Sequence, residues 1–330
     1  MNIGQSSPLK REMRVISVYN KKGGTCKTTC VMNLAASLAA MGFQVGLVDG
    51  DEQANASSLT RPHKYANPTL THIVCDKVPL INAMYQARKN LWIVPSDMNL
   101  SRAVEHINAQ QDFDLFGDRV DELRETLAPA QDPCIFPWWE KSEVQLRQFK
   151  LEETSEEEFN SRPTALDFLL FDNPPNPNAL TTALLFACRE VIIPIEMEEF
   201  SFQGLVQMSE DLKRRFRKRQ EKVKVSAIVP FNVSHQGGSH MDYLASVWRV
   251  YPNLTQRSVH HDKTVSTAQG YKLSSLEYDK SSRATKEMFA LALSVAGYQG
   301  SLAHLSTCNL CVETIEQARQ ANPRQGSSEE

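Results

Sequence analysis

Residues 15–42 read Val-Ile-Ser-Val-Tyr-Asn-Lys-Lys-Gly-Gly-Thr-Cys-Lys-Thr-Thr-Cys-Val-Met-Asn-Leu-Ala-Ala-Ser-Leu-Ala-Ala-Met-Gly. A short apolar run, Val15 to Tyr19, leads into a glycine-bearing loop. The loop leads into an amphipathic run, Cys30 to Met41, that stops at Gly42. The order predicts strand, loop, helix. A Lys-Thr pair at the start of the helix suits phosphate binding. Loop amides and the helix N-terminus point at anionic oxygens, Lys27 adds a mobile charge, and the Thr28 hydroxyl suits a magnesium ion. Two residues depart from a simple phosphate loop. A second lysine, Lys22, precedes Gly23 and Gly24, and Cys26 stands where such loops carry their last glycine.

The chain has 330 residues, enough for one large α/β domain or two smaller ones. Its apolar fraction of 41% supplies a core, and its net charge of −3 gives no global field toward nucleic acid or membrane. Any basic surface is therefore local. No apolar run reaches the length of a membrane span: Ala179 to Ile195 is broken by Arg189-Glu190, and Met288 to Ala296 is short. Met1 to Met13 lacks the apolar core of a signal peptide. The seven cysteines, an odd number without a secretion signal, fit reduced thiols in the cytoplasm.

Short apolar runs alternate with helical patterns. Candidate strands are Val15–Tyr19, Val45–Val48, Leu91–Val94, Phe168–Phe171, Val191–Ile195 and Val225–Phe231. This alternation predicts an α/β fold with a mostly parallel, doubly wound sheet flanked by helices. Residues 1–13 read as a flexible segment, 14–300 as the main domain, and 301–330 as a partly disordered tail. A stretch at about 130–163 breaks the rhythm and reads as an insertion. It opens with Asp132-Pro133-Cys134-Ile135-Phe136-Pro137-Trp138-Trp139 and runs into an acidic cluster around Glu152 to Glu158. It is either a solvated excursion or a partner-docking element, since adjacent tryptophans are costly to leave in water.

Three further segments strengthen the loop's signal. Val45 to Ser57, with Asp49-Gly50-Asp51-Glu52-Gln53, places two carboxylates at the C-terminal end of a buried strand, the edge where open α/β sheets bind ligands. A carboxylate there holds a magnesium-bound water or orients an attacking one. Asp172 ends a second apolar strand and opens Asp172-Asn173-Pro174-Pro175. Val191 to Ile195 then leads into Glu198 to Leu205. Residues 203–221 carry a helical stripe of Leu205, Met208 or Ser209, Leu212 and Phe216, with a basic remainder: Lys213, Arg214, Arg215, Arg217, Lys218 and Arg219. Such a patch binds phosphate backbones without reading sequence, or forms a solvated face favourable to the helix dipole.

Together these segments resemble the ParA/MinD group of deviant-Walker P-loop ATPases, and ParA more than MinD. The family loop Lys-Gly-Gly-x-Gly-Lys-Thr-Thr matches Lys22 to Thr29. Its Asp-x-Asp-Pro-Gln-x-Asn-Ala-Ser matches Asp49 to Ser57 with Glu52 in place of proline, and its Asp-x-Pro-Pro matches Asp172 to Pro175. Glu277-Tyr278-Asp279-Lys280-Ser281-Ser282 resembles its Glu-Tyr-Asp-x-x-Ser element. The resemblance implies a P-loop fold that binds ATP and Mg2+ through Lys22, Gly23, Gly24, Thr25, Cys26, Lys27, Thr28 and Thr29. It gives Lys27 the β- and γ-phosphates, Thr28 the magnesium, and Lys22 the partner's nucleotide in a sandwich homodimer. It gives Asp51 the hydrolytic water, and Asp49 and Asp172 the magnesium shell. Asn232 is a candidate base contact, because His260-His261 departs from the family's Ile-Pro.

The implied activity is slow, partner-stimulated ATP hydrolysis. The ATP-bound dimer would hold nonspecific DNA through the basic helix and be released by a ParB-like or other activating partner. The work would be to segregate or position a plasmid, a chromosome region or other cargo. The expected place is the cytoplasm, on the nucleoid, and no N-terminal helix-turn-helix domain is expected. A MinD-like membrane ATPase is a second reading, but residues 301–330 offer only Arg319 and Arg324 as basic groups, so no membrane partner is expected. An Mrp/ApbC-like iron–sulfur carrier is a third, from His304, Cys308 and Cys311, although cysteines so spaced are more often packing residues. A low-turnover ATP-switched regulator is a fourth. Cys26 also places a thiol beside bound anion and cationic lysine, an environment expected to depress its pKa, or is simply a tolerated small residue.

Overall fold

The structure, a computed structural model, describes residues 12–59, 67–128, 159–197, 201–216, 223–234, 238–256 and 258–297. Its strands are β1 (Arg14–Val18), β2 (Val45–Asp49), β3 (Tyr85–Arg88), β4 (Leu91–Val94), β5 (Phe168–Asp172), β6 (Glu190–Glu196) and β7 (Lys224–Phe231). They form one sheet in the order β3-β4-β2-β5-β1-β6-β7, parallel except for β3. All six strands expected from the sequence are present. β3 was not expected: Gln86 and Arg88 interrupt its apolar character, and it is an antiparallel edge strand turned back at Lys89-Asn90, with Asn90 left-handed at φ 63.

The helices are α1 (Lys27–Ala40), α2 (Leu70–Cys75), α3 (Leu100–Gln110), α4 (Leu115–Thr126), α5 (Ala179–Ala187), α6 (Ser201–Phe216), α7 (Gly238–Val250), α8 (Lys263–Gly270), α9 (Ser275–Tyr278) and α10 (Arg283–Val295). Side chains alternate along each strand, so the sheet feeds two cores. Val15, Phe171 and Ile193 pack with Phe116, Leu180 and Leu205 on one face. Ile16, Leu170 and Ile192 pack with Leu34, Leu38 and Phe289 on the other. α1 differs from the amphipathic helix expected, because nearly every residue in it is buried. Its outer side is covered by α10, and Ala35, Ala36, Ala39 and Ala40 let that helix approach. A helix covered all round needs no polar face.

The end of the sequence insertion docks on the sheet. Phe159 stacks on Tyr85 of β3 with ring centroids 5.2 Å apart, and Ser161 Oγ donates to Gln86 at 2.9 Å. These contacts cover an edge that would otherwise invite pairing. Residues 129–158 lie outside the described residues, and so do 1–11 and 301–330. Met13, assigned to a flexible segment from the sequence, is instead buried in the core.

The chain leaves β1 through α1 toward β2 on one side, and leaves β5 through α5 toward β6 on the other. The crevice above β1 is therefore the topological switch point. Two carboxylates border it, because β2 and β5 pair in parallel with Asp49 opposite Asp172. Gly50 permits this approach. Its amide donates to the Asp172 carbonyl at 2.9 Å, and an added Cβ would lie 2.7 Å from that oxygen and 2.8 Å from Leu184 Cδ1. Gly50→Ala is expected to destabilise the fold by about 1–3 kcal/mol. The loss should be read as a lower denaturant midpoint at unchanged slope.

Candidate functional site

The loop after β1 is anchored at its base. Asn20 Nδ2 donates to the Pro194 carbonyl at 2.8 Å, and Asn20 Oδ1 accepts from the Lys22 amide at 3.0 Å. Gly24 and Cys26 both take left-handed backbone, at φ 75 and φ 57. Cys26 thus adopts the conformation that glycine supplies without strain, and the loop keeps a glycine-like path. The Lys22 carbonyl collects two donors, Thr25 Oγ1 at 3.1 Å and Lys27 Nζ at 3.0 Å, while Lys22 itself is exposed. Lys27 is buried. Burial pushes its pKa down, against the opposing charges of Asp172 and Asp51.

The two strand-end carboxylates are not equivalent. Asp49 spends its oxygens on its own loop: Oδ1 accepts from the Asp51 amide at 3.1 Å, and Oδ2 accepts from the Ser57 amide and hydroxyl, both at 2.7 Å. Burial nonetheless raises its pKa to about 6. Asp172 is fully buried, and neither of its oxygens has a hydrogen-bond partner. Burial first, and the Asp49 charge next, push its pKa well above the carboxylate range, opposed by Thr28 and Lys27. An orphaned buried carboxylate beside a threonine hydroxyl and a lysine fits an oxygen-ligated cation and its water shell.

Two cavities meet at the start of α1. One, of about 410 Å³, is lined by Gly24 to Thr29, Asp51 and Gln269. The other, of about 220 Å³, is reached past Cys26 and Thr29 and is walled by Asn232, His260 and Val265. Asn232, itself left-handed at φ 54, donates to Glu196 Oε1 at 2.6 Å and to Cys26 Sγ at 3.4 Å. The Cys26 thiol in turn faces the same Glu196 oxygen at 3.6 Å. Burial, and then the Glu196 charge, push this thiol up to about 12. Of the two readings of Cys26, the depressed pKa is therefore corrected: burial and the Glu196 charge outweigh Lys27. His260 is buried and tied through Nδ1 to Glu287 at 2.7 Å.

A family model described as an AAA domain, AAA_31, matches residues 13–132 and 140–225. The chain is 26% identical over 285 residues to an uncharacterized protein of Pseudomonas putida, covering 84% of this chain and 93% of that one. It is 28% identical over 204 residues to the chromosome partitioning protein ParA of Caulobacter vibrioides, covering 61% of this chain and 63% of that one. The chain belongs to the ParA/MinD group of P-loop ATPases. A structure of Cyanothece McdA with ATP has the same fold, with a TM-score of 0.66 at 19% identity over 88% of this chain and 98% of that one.

Within this ParA/MinD fold, the residues singled out from the sequence are distributed over the loop, the two cavities, the strand ends and α6. Gly24, Thr25, Cys26, Lys27, Thr28, Thr29 and Asp51 line the larger cavity. Gly23 sits beside Pro175, Asp49 and Asp172 are buried at the strand ends, and Asn232 lines the smaller cavity. Lys213 and Arg214 are exposed on α6. The Arg215 side chain and Arg217, Lys218 and Arg219 lie outside the described residues, as do His304, Cys308 and Cys311. Sequence reasoning missed Glu196 and Gln269. Glu196 ends a strand already recognised, which is a usable signal, whereas Gln269 sits in a short polar helix that offers none.

Two outcomes follow from the electrostatics. An acid whose folded pKa is raised costs stability that is fully present above that pKa and absent below its unfolded value. Nucleotide-free Asp172→Asn is accordingly expected to be more stable than wild type at pH 7.5 by about 1–3 kcal/mol. The gain should shrink as pH falls toward 4, as followed by thermal melts across pH. For the thiol, iodoacetamide at pH 8 is expected to spare Cys26 in the folded protein and to label it after denaturation, as read by peptide mass.

Proposed function

We propose that this chain is a ParA-type ATPase that closes into a nucleotide-sandwich homodimer on ATP and then holds nonspecific DNA. A ParB-like or other partner stimulates hydrolysis and releases it, so that a plasmid, a chromosome region or another cargo is segregated or positioned. The observation that carries this reading is a loop cavity lined by Lys27, Thr28 and Asp51 next to a fully buried carboxylate, Asp172, whose oxygens make no well-formed hydrogen bond. Family membership supports the ATPase part. The basic run on and after α6 supports the DNA part. Among the described residues no helix is long and apolar enough to cross a membrane.

The residues have distinct work to do. Lys27 would exchange the Lys22 carbonyl for phosphate oxygens, a neutral acceptor for an anionic one, which strengthens its hydrogen bond. Magnesium, when bound, would neutralise charge on the phosphates. The Thr28 hydroxyl would hold it directly, and Asp172 would accept from water in its shell. Asp51 lines the cavity without being buried, so its carboxylate is available to accept a proton from an attacking water and aim it. Lys22, exposed on the loop, would reach the nucleotide of the second chain, which ties turnover to assembly.

Calorimetry, light scattering, phosphate release and DNA gel shifts on one set of variants test this. Lys27→Ala is expected to lose ATP binding. Lys22→Ala should bind ATP yet stay monomeric. Asp51→Ala should bind and dimerise but turn over at least about a hundredfold more slowly. Arg214→Ala/Arg215→Ala/Arg217→Ala should keep ATP binding and lose salt-sensitive DNA binding. Normal turnover in Lys22→Ala would rule out the sandwich dimer, and unchanged gel shifts in the triple variant would rule out the α6 surface. ATP-dependent sedimentation with liposomes would favour membrane positioning instead.

A further inference from the structure

The two cavities share three residues: Cys26, Thr29 and Gln269. A nucleotide that fills both passes this junction between its base and its phosphates. The Cys26 thiol is engaged with Glu196 and Asn232. Thr29 and Gln269 are engaged with each other, Gln269 Nε2 donating to Thr29 Oγ1 at 2.6 Å. The direction of that bond matters. A hydroxyl that accepts from an amide keeps its own proton for a different acceptor. In a cavity walled by Lys27 and the start of α1, the acceptor to expect is an anionic phosphate oxygen, and an O–H donor to such an oxygen makes a strong, charge-assisted bond.

Both partners are held in place. Asn33 Nδ2 donates to the Thr29 carbonyl at 2.8 Å, and Asn33 Oδ1 accepts from the Ser275 amide and hydroxyl, both at 2.8 Å. α1 is thereby fastened to α9. On the other side Asp262 caps α8, accepting from the Thr264 amide at 2.8 Å and from the Ala284 amide of α10 at 3.3 Å. Gln269 therefore reaches Thr29 from a fixed helix, as a site residue must if it is to set geometry.

We propose that Gln269 is a positioning residue for the nucleotide: its amide fixes the Thr29 hydroxyl so that the proton is presented to a phosphate oxygen. The role rests on the ATPase reading. It makes α8, outside every phosphate-loop signature in the chain, part of the phosphate site. Glutamate at this position would reverse the bond, because an ionised carboxylate only accepts and would draw the Thr29 proton away from the phosphate.

The test is a double-mutant cycle on ATP affinity by titration calorimetry, using Gln269→Glu, Thr29→Val and the two combined, with thermal melts as a fold control. Gln269→Glu is expected to weaken ATP by about tenfold or more. With Thr29→Val in place, the same change should cost less than about twofold. A full Gln269→Glu penalty in the Thr29→Val background would show simple charge repulsion and overturn the role of Gln269. A wild-type chain that binds no ATP would instead overturn the ATPase reading on which it rests.

Discussion

Asp49 and Asp172 end neighbouring strands, both fully buried, beside the buried ammonium of Lys27. Two carboxylates in an apolar interior repel each other and lose hydration, and one lysine does not compensate both. The surrounding structure is arranged around that cost. Asp49 is relieved by three donors from its own loop, which in turn fixes the path from Asp51 to Ser57. Ser57 Oγ then accepts from the Ser96 amide at 2.9 Å, so the same hydroxyl ties in the connection after β4. Asp172 has no such set of donors. Thr28 and Lys27 relieve it in part, and a cation with its water shell in the crevice is the ligand that would complete that relief most directly. Strain of this kind at a functional site is a common exchange of stability for activity.

The loop that faces this cluster is stabilised in a way the family pattern does not anticipate. A glycine at position 26 would leave a gap between the loop and the ends of β6 and β7. Cys26 fills it, and its sulfur meets Glu196 and Asn232. Left-handed backbone at a non-glycine residue costs roughly 1 kcal/mol, and two side-chain contacts offset it. The loop is therefore braced toward the smaller cavity, where a glycine loop would be free to move. The thiol takes part as a small packing group in its protonated form, because burial and the Glu196 charge outweigh Lys27.

How much of this was legible in the sequence depended on whether the signal was local. The six expected strands are short apolar runs, and the ends of β2, β5 and β6 supply the site's acidic residues Asp49, Asp172 and Glu196. β3 was not legible, because its alternation of Tyr85 and Ala87 with Gln86 and Arg88 runs for only four residues. Arg88 in fact pairs with Glu277, a residue from the far end of the chain, and Glu277 also caps α9 by accepting from the Ser274 amide at 2.8 Å. The Glu-Tyr-Asp element was thus recognisable by family pattern, while its first residue owes its place to a buried ion pair. α1 was legible as a helix but not as a fully buried one, since what covers it is α10, some 250 residues later. Gln269 was invisible for the same reason: its partner, Thr29, is 240 residues away.

Distance in sequence also separates the loop from α6, yet the two share a carboxylate. Asp211 of α6 accepts from Lys21 of the loop and from Arg214 one turn along the helix. These bonds hold the Asp211 pKa below the usual carboxylate range, with the Lys21 hydrogen bond the largest cause. A movement of the loop that withdraws Lys21 would leave Asp211 to Arg214 alone, so the loop and the exposed basic residues are not independent. The magnitude decides what this link can do. Ion pairs with solvent access contribute about 0.2–1 kcal/mol, whereas driving a two-state equilibrium from one side to the other takes about 5.5 kcal/mol. The Lys21–Asp211 contact can therefore bias the presentation of Arg214 but cannot switch it. A switch of that size has to come from the phosphate site itself, where a fully buried carboxylate and a buried lysine offer interactions several times larger.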